Sequence, residues 1–529
     1  MQSDIENKFS FISIMLALIM MLSVVSKFSF SITVQISIFL FLSISTLFIF
    51  NNFKISLNSY IVPFCLLILV SLISYTGADY QTNVRDYIIV LASSLLAGFN
   101  VSFLHIDVKK TLFHIPVFIA LFLAMVLFSR FITNPSGFFY GDNFYEAVAL
   151  NINVIAGFLI LVYPLLFIFI KDKTNLKVYI GIAVFILLAV FLTRSRVAVL
   201  ISLIITILSL FEYKNKKYVK IIIFGISLLL LSGIIYLSAL KSGFNSFAER
   251  LIWWKTAYII FKENMFFGAG LGNYSVLFKF FRTELVLNTL YAHNLFMQLL
   301  SDIGIFGLLS FIYLMVTFYK KIIYEIKTGE HKYYYKIIAV SVTSFLIVNM
   351  FDYSFFVPAN MMIFFIIFCS AFSVKTEKLK KEKINTYFLT AVFLLFAFFI
   401  AQPVVANVFY KRGLASYVSK QYKYAESDFL KAVKFDRKNP EYYYQLSNVN
   451  FALFDLDRKN GKEYINAAIN FNKQAIQFYK SSGQLRESLA YLYWNNNDKK
   501  NAVKYIEEAL KYDKFNPYIQ ESYNSIKNS

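Results

Sequence analysis

Apolar runs long enough to cross a bilayer recur through the first four hundred residues, and that repetition decides what this chain can fold into. A hydrocarbon core of roughly 30 Å offers the backbone no water, so a crossing segment must close its hydrogen bonds within a helix. Such runs fall near 9–25, 30–50, 59–75, 86–103, 111–129, 148–170, 177–193, 197–211, 219–240, 292–318, 336–350, 355–373 and 386–402. Of the 529 residues, 58% are hydrophobic and 19% aromatic, which no ordinary soluble domain matches. An all-α, polytopic membrane protein of about 12–13 spans is expected. The first run follows Lys8 as a signal peptide would, but it lacks a small-residue cleavage site and is expected to remain as an anchor.

The formal net charge is +21. In a soluble protein this would suggest nucleic acid; here the cations alternate with the spans. Lys54, Lys109 and Lys110, Lys171 and Lys173, Lys214 to Lys220, Lys320 to Lys336 and Lys375 to Lys383 follow even-numbered spans. The other short loops hold little beyond Lys27, Arg85 and Arg130, apart from Arg194-Ser195-Arg196. Cations retained in the cytoplasm explain this alternation, so a nucleic-acid partner is not expected. The N-terminus is then cytoplasmic, with the Arg-Ser-Arg hinge, the loop 241–291 and the C-terminal region outside. Cys65 and Cys369 stand alone at no redox or metal spacing and are expected as small apolar residues within spans.

After Pro403 the pattern becomes charged, rich in Tyr and Ala, and helical in period. Gly413, Ala425, Phe429 and Ala432 align with Ala468 and Ala475, and then with Ala502, Ile506 and Ala509. The last two copies are 34 residues apart. This part resembles a tetratricopeptide array of about three repeats, whose use is docking a protein partner rather than catalysis. Asn439-Pro440 and Asn516-Pro517 lie near repeat ends, where proline stops helices. The expected organisation is 1–192 N-terminal helices, 193–403 a catalytic membrane region and 404–529 a repeat domain.

Chemistry concentrates between 193 and 310. Arg194 and Arg196 sit on an outward hinge against the general charge bias, which either snorkelling or a bound anion explains. A guanidinium fork matches phosphate oxygens. Arg250 and Arg282 are placed to complete a cage around a diphosphate, or stand as solvated loop charges. His293, flanked by Tyr291 and Asn294, is the one outward histidine among these cations and the natural general base for a hydroxyl. Trp253 and Trp254 read as interfacial anchors, and Gly268-Ala269-Gly270-Leu271-Gly272 as a flexible turn rather than a P-loop. Asp302, close to Gly304 and Gly307, is a buried acid expected to pair with a polar neighbour. Scattered acids such as Asp142, Glu249, Glu263 and Asp352 show no ligand spacing, so neither metal nor cofactor is expected.

Ser195-Arg196 after a span, Arg250-x-x-x-Trp254-x-x-Ala257, the glycine turn, and His293-Asn294 followed by Asp302-x-Gly304-x-x-Gly307 together resemble the O-antigen ligase and polymerase superfamily. The resemblance implies a GT-C-like, metal-independent, inverting glycosyltransferase in the bacterial cytoplasmic membrane. It would transfer a glycan from undecaprenyl diphosphate to a hydroxyl of lipid A-core. Polysaccharide polymerase and protein O-oligosaccharyltransferase are the alternatives within the superfamily. Arg194, Arg196 and Arg250 would hold the diphosphate, with His293 as base. Asp302 stands where the pattern more often has Glu. A transporter or a scaffold displaying the repeats is the reading from another class.

Overall fold

The computed structural model describes residues 11–21, 31–55, 59–135, 151–171, 176–211, 225, 243–286, 288–373, 376–378, 383–459 and 461–528. Among them the helices Gln81–Ser102, Ile106–Thr133, Ile152–Lys171 and Leu295–Thr328 are long and apolar enough to cross a membrane. Phe11–Met21, Thr33–Leu47, Ile61–Gly77, Leu176–Leu192, Arg196–Ser209 and Pro358–Ser370 are shorter apolar helices. The expected span 219–240 apart from residue 225, the lysines 214–220 and Asp142 lie outside the described residues. Cys65 and Cys369 fall within helices, unpaired with one another. One small departure from an all-helical chain is an antiparallel pair, Phe53–Ile55 with Thr376–Lys378, placing Lys54 opposite Glu377.

Lipid accounts for the surface of this bundle. Val62, Leu66 and Leu69 are exposed along one stripe of Ile61–Gly77, and Ile180, Val184 and Leu188 along Leu176–Leu192. Spacings of three and four put each set on one helical face. Such stripes are unfavourable in water and suited to acyl chains. The opposite faces bury Phe64, Leu67, Ile186 and Val190 against the common core, where Pro358–Ser370 is buried along its whole length. This is a multi-pass membrane protein.

The long Leu295–Thr328 helix is interrupted at Gly304, whose φ of 66° and ψ of −167° are not helical. The break receives the glycine turn. Ala269 N–H donates to the Ser301 carbonyl at 2.9 Å, and Gly270 N–H to the Asp302 carbonyl at 2.9 Å. A Cβ on Gly304 would meet the Phe266 carbonyl oxygen at 2.4 Å, and one on Gly268 the Asp302 carbonyl carbon at 2.3 Å. The turn is therefore clamped to the helix backbone, and the expected flexibility is replaced by a fixed joint.

The C-terminal part is a stack of helix pairs: Lys383–Val418 with Tyr422–Phe435, Pro440–Leu456 with Lys462–Phe478, Gly483–Asn495 with Lys499–Tyr512, and Pro517–Asn528 as a final helix. The aligned alanines 425, 432, 468, 475, 502 and 509 are all fully buried between helices, the small residues that let repeats stack. Two expectations change. Pro440 and Pro517 open helices at their first position, where the missing N–H costs nothing, instead of ending them. Lys383–Val418 runs unbroken through Pro403, so the last apolar segment and the first repeat helix are one element.

Replacing Gly304 with Ala should destabilise the fold. A left-handed φ alone costs an L-residue about 1–2 kcal/mol, before the clash with Phe266. A lower unfolding temperature of the detergent-solubilised protein is the expected result, and an unchanged one would contradict the clamp.

Candidate functional site

Backbone strain marks two of the residues singled out above. Among the described residues, four non-glycine positions have positive φ, and Arg194 (56°) and His293 (51°) are two of them. Such conformations are unfavourable for side-chain-bearing residues and persist where surrounding structure enforces them. Arg194 closes the turn after Leu176–Leu192, and Arg196 starts the next helix. His293 precedes the N-cap Asn294, whose side-chain oxygen accepts from Phe296 and Met297 N–H. Leu295 N–H donates to the Asn349 carbonyl at 2.8 Å, and Asn294 Nδ2 to the Met350 carbonyl at 3.0 Å. The histidine is thereby held against the segment 349–353.

That segment brings a residue without any sequence signal of its own. Asp352 Oδ1 lies 3.8 Å from His293 Nδ1, too long for a hydrogen bond but close enough for the two to form an electrostatic dyad. The imidazole stacks on Trp253 (centroids 4.5 Å apart, planes at 26°) and meets Tyr353 edge-on at 4.8 Å. Trp253 is thus buried beside His293 and is no interfacial anchor. Burial, reinforced by the nearby Arg250 charge, pushes the His293 pKa down to about 3. Burial pushes Asp352 up to about 6, against its backbone hydrogen bond at Tyr353 and the attraction of Arg250. At neutral pH the dyad is a neutral imidazole beside a carboxylate.

Arg250 joins this dyad to the hinge. Desolvation lowers its pKa, and it lies within electrostatic reach of Asp352, Arg196 and Glu249. Two guanidiniums that feel each other's charge are favoured by an anion between them. Buried side-chain atoms with no protein hydrogen-bond partner concentrate here: Arg250 Nε, Trp253 Nε1, Trp254 Nε1, His293 Nδ1 and Asp352 Oδ1. Orphaned polar atoms gathered in one place are the mark of a ligand site. No group of three potential metal ligands occurs among the described residues.

The remaining expected residues have other partners. Arg282 is buried and donates from Nη2 to Asp513 Oδ1 at 2.7 Å and from Nη1 to Asn288 Oδ1 at 2.9 Å. Tyr291 stacks on Tyr353 (4.6 Å, 8°) and shares a 2.9 Å hydrogen bond with the Tyr87 hydroxyl. Asp302 is fully buried and accepts from Gly272 N–H (2.8 Å), Tyr274 N–H (3.1 Å) and Gln298 Nε2 (2.9 Å). Gln298 Oε1 in turn accepts from Ala292 N–H at 2.7 Å, next to the histidine. Asp302 therefore shapes the backbone around His293 through Gln298 and the glycine turn.

Residues 181–312 match a family model described as O-antigen ligase, which spans the hinge, Arg250 and His293. No match was found among curated proteins. Structural similarity was found to a crystal structure of the APC/C hetero-tetramer Cut9-Hcn1, at 10% identity over 83% of this chain and 76% of that one, TM-score 0.21. A second was to yeast Tom70, at 14% identity over 77% and 95%, TM-score 0.14. The repeat architecture rests on the helix pairs described above.

A buried, neutral His293 predicts an unusual carbethoxylation profile. An ordinary histidine loses reactivity as pH falls through about 6.5. Modification of His293, followed by mass spectrometry, should hold its rate from pH 8 down to pH 5; an ordinary titration in that window would contradict the assignment.

Proposed function

We propose, from the match of residues 181–312 to the O-antigen ligase family, that this membrane protein transfers a glycan from undecaprenyl diphosphate to an acceptor hydroxyl outside the cytoplasmic membrane. The observation that carries this reading is the place of Arg250. It lies within electrostatic reach of Arg196 and also of His293 and Asp352, so an anion grip and a base would share one site. The acceptor of the ligase reading is lipid A-core.

Arg194, Arg196 and Arg250 hold the diphosphate. The acceptor oxygen attacks the anomeric carbon from the face opposite the leaving group, and the sugar–phosphate bond breaks with its electron pair going to undecaprenyl diphosphate. The arginines oppose the negative charge that grows on that leaving group. With Nδ1 turned to Asp352, Nε2 is left to take the acceptor's proton. A base held near 3, mainly by burial, is weak, and the bound diphosphate opposes the smaller cause: an adjacent anion offsets Arg250 and shifts the imidazole pKa upward. The carboxylate of Asp352 then stabilises the imidazolium that forms.

Exchanging His293 for Ala should lower transfer at least about 100-fold in membranes holding normal amounts of the protein. An undiminished rate would remove the base. Asp352 predicts an acid limb: as pH falls through about 6 its carboxylate takes up a proton and the imidazolium loses its partner. Turnover should fall there, and Asp352→Asn should be slower at pH 8 and lack that limb. An identical pH profile in the variant would exclude a role for the dyad.

A further inference from the structure

We infer that the repeat domain is a working part of the catalytic centre, with the Arg282–Asp513 ion pair positioning the loop that carries His293; this rests on the base assignment proposed above. The repeat array meets the membrane region through the ends of its second helices. Asp436, Tyr479 and Asp513 are the C-caps of Tyr422–Phe435, Lys462–Phe478 and Lys499–Tyr512. Each contacts the membrane region. Asp436 Oδ2 accepts from Arg85 Nη1 at 2.8 Å. Tyr479 stacks on Tyr80 at 4.9 Å, and Asp513 takes Arg282. A carboxylate at a helix C-terminus is disfavoured by the helix dipole, and at Asp436 and Asp513 an arginine of the membrane region compensates.

Asp513 divides its oxygens. Oδ2 accepts from Asn516 within the repeat turn at 3.2 Å, and Oδ1 faces Arg282. Both partners of the bridge are about 4% exposed, so removing either leaves a buried charge unanswered, a strongly destabilising arrangement for whatever segment holds it. Arg282 stands at the head of the loop that ends at His293. Its second nitrogen holds that loop through Asn288 and the Val286 carbonyl. Thr289 Oγ1 then donates to the Tyr291 carbonyl at 2.8 Å, and Tyr291 hydrogen-bonds Tyr87 on the helix whose start carries Tyr80 and Arg85. Both ends of the loop are thus referred to surfaces that the repeats cover. Arg282 acts through the loop and not on the diphosphate.

The test uses the full-length protein in membranes with their native lipid-linked glycan, and undecaprenyl diphosphate as the binding probe. Arg282→Ala and Asp513→Ala should each cut turnover roughly 10- to 100-fold, the cost of a misplaced catalytic group. The double variant should be no slower than the worse single one, and affinity for undecaprenyl diphosphate should stay within about twofold. Asp513→Asn, which preserves shape and the Asn516 contact, gives the same readout should the alanine variant not accumulate. Unchanged turnover in the Asp513 variants overturns the inference. So does weakened lipid binding confined to Arg282→Ala, which would put that arginine on the diphosphate. Hydrogen exchange over residues 282–294 is read in parallel and needs no chemistry. Faster exchange in both single variants supports the positioning role, and unchanged exchange refutes it. A wild-type protein that transfers nothing sinks the glycosyltransferase reading alone, with the exchange result standing by itself.

Discussion

A carboxylate with no access to water organises the region around His293. Asp302 is an ionisable group inside a long apolar helix, a costly position that demands full compensation. Three donors supply it: the backbone N–H groups of Gly272, which ends the glycine turn, and of Tyr274 just after it, and Gln298 one turn back on its own helix. Gln298 turns its other atom to Ala292 N–H. One buried acid thus ties together the glycine turn, the broken helix and the residue before His293. Glycine is required on both sides of the joint because backbone meets backbone there, with no room for a Cβ at Gly268 or Gly304.

The sequence made some of this legible. Apolar run length located most of the described helices of the membrane region, since only a helix satisfies a backbone in lipid, but it did not mark Gly243–Glu263, which lies in the expected loop 241–291. Small-residue spacing located the repeats. His293 and the hinge arginines stood out because charge is rare in such a chain. What escaped was tertiary. Asp352 occupies a short turn between helices with no motif, and it matters only because Asn349 and Met350 carbonyls bind the start of the histidine's helix. Trp253 looked like an interfacial residue because aromatic rings favour that zone, whereas its neighbour in space is an imidazole forty residues on. Arg282 looked like the other loop arginines; its partner lies more than two hundred residues away in a different domain. Pro440 and Pro517 follow the opposite rule to the one applied, since proline that ends one helix also suits the first turn of the next.

Electrostatics in the site are set by exclusion of water more than by any single pair. His293 and Asp352 are both driven towards their neutral forms by burial, and Arg250 resists this for the acid while reinforcing it for the base. An anion beside Arg250 would oppose the part of the imidazole shift that the guanidinium causes, while the larger part, from burial, would stay.

The unbroken Lys383–Val418 helix has a consequence for anything the repeats bind. At 1.5 Å per residue it is a rod of about 54 Å, apolar at its start and built into the first repeat at its end. A continuous helix leaves no loop for the repeats to swing on, so their reach from the membrane region is set by its length and by any bend at Pro403.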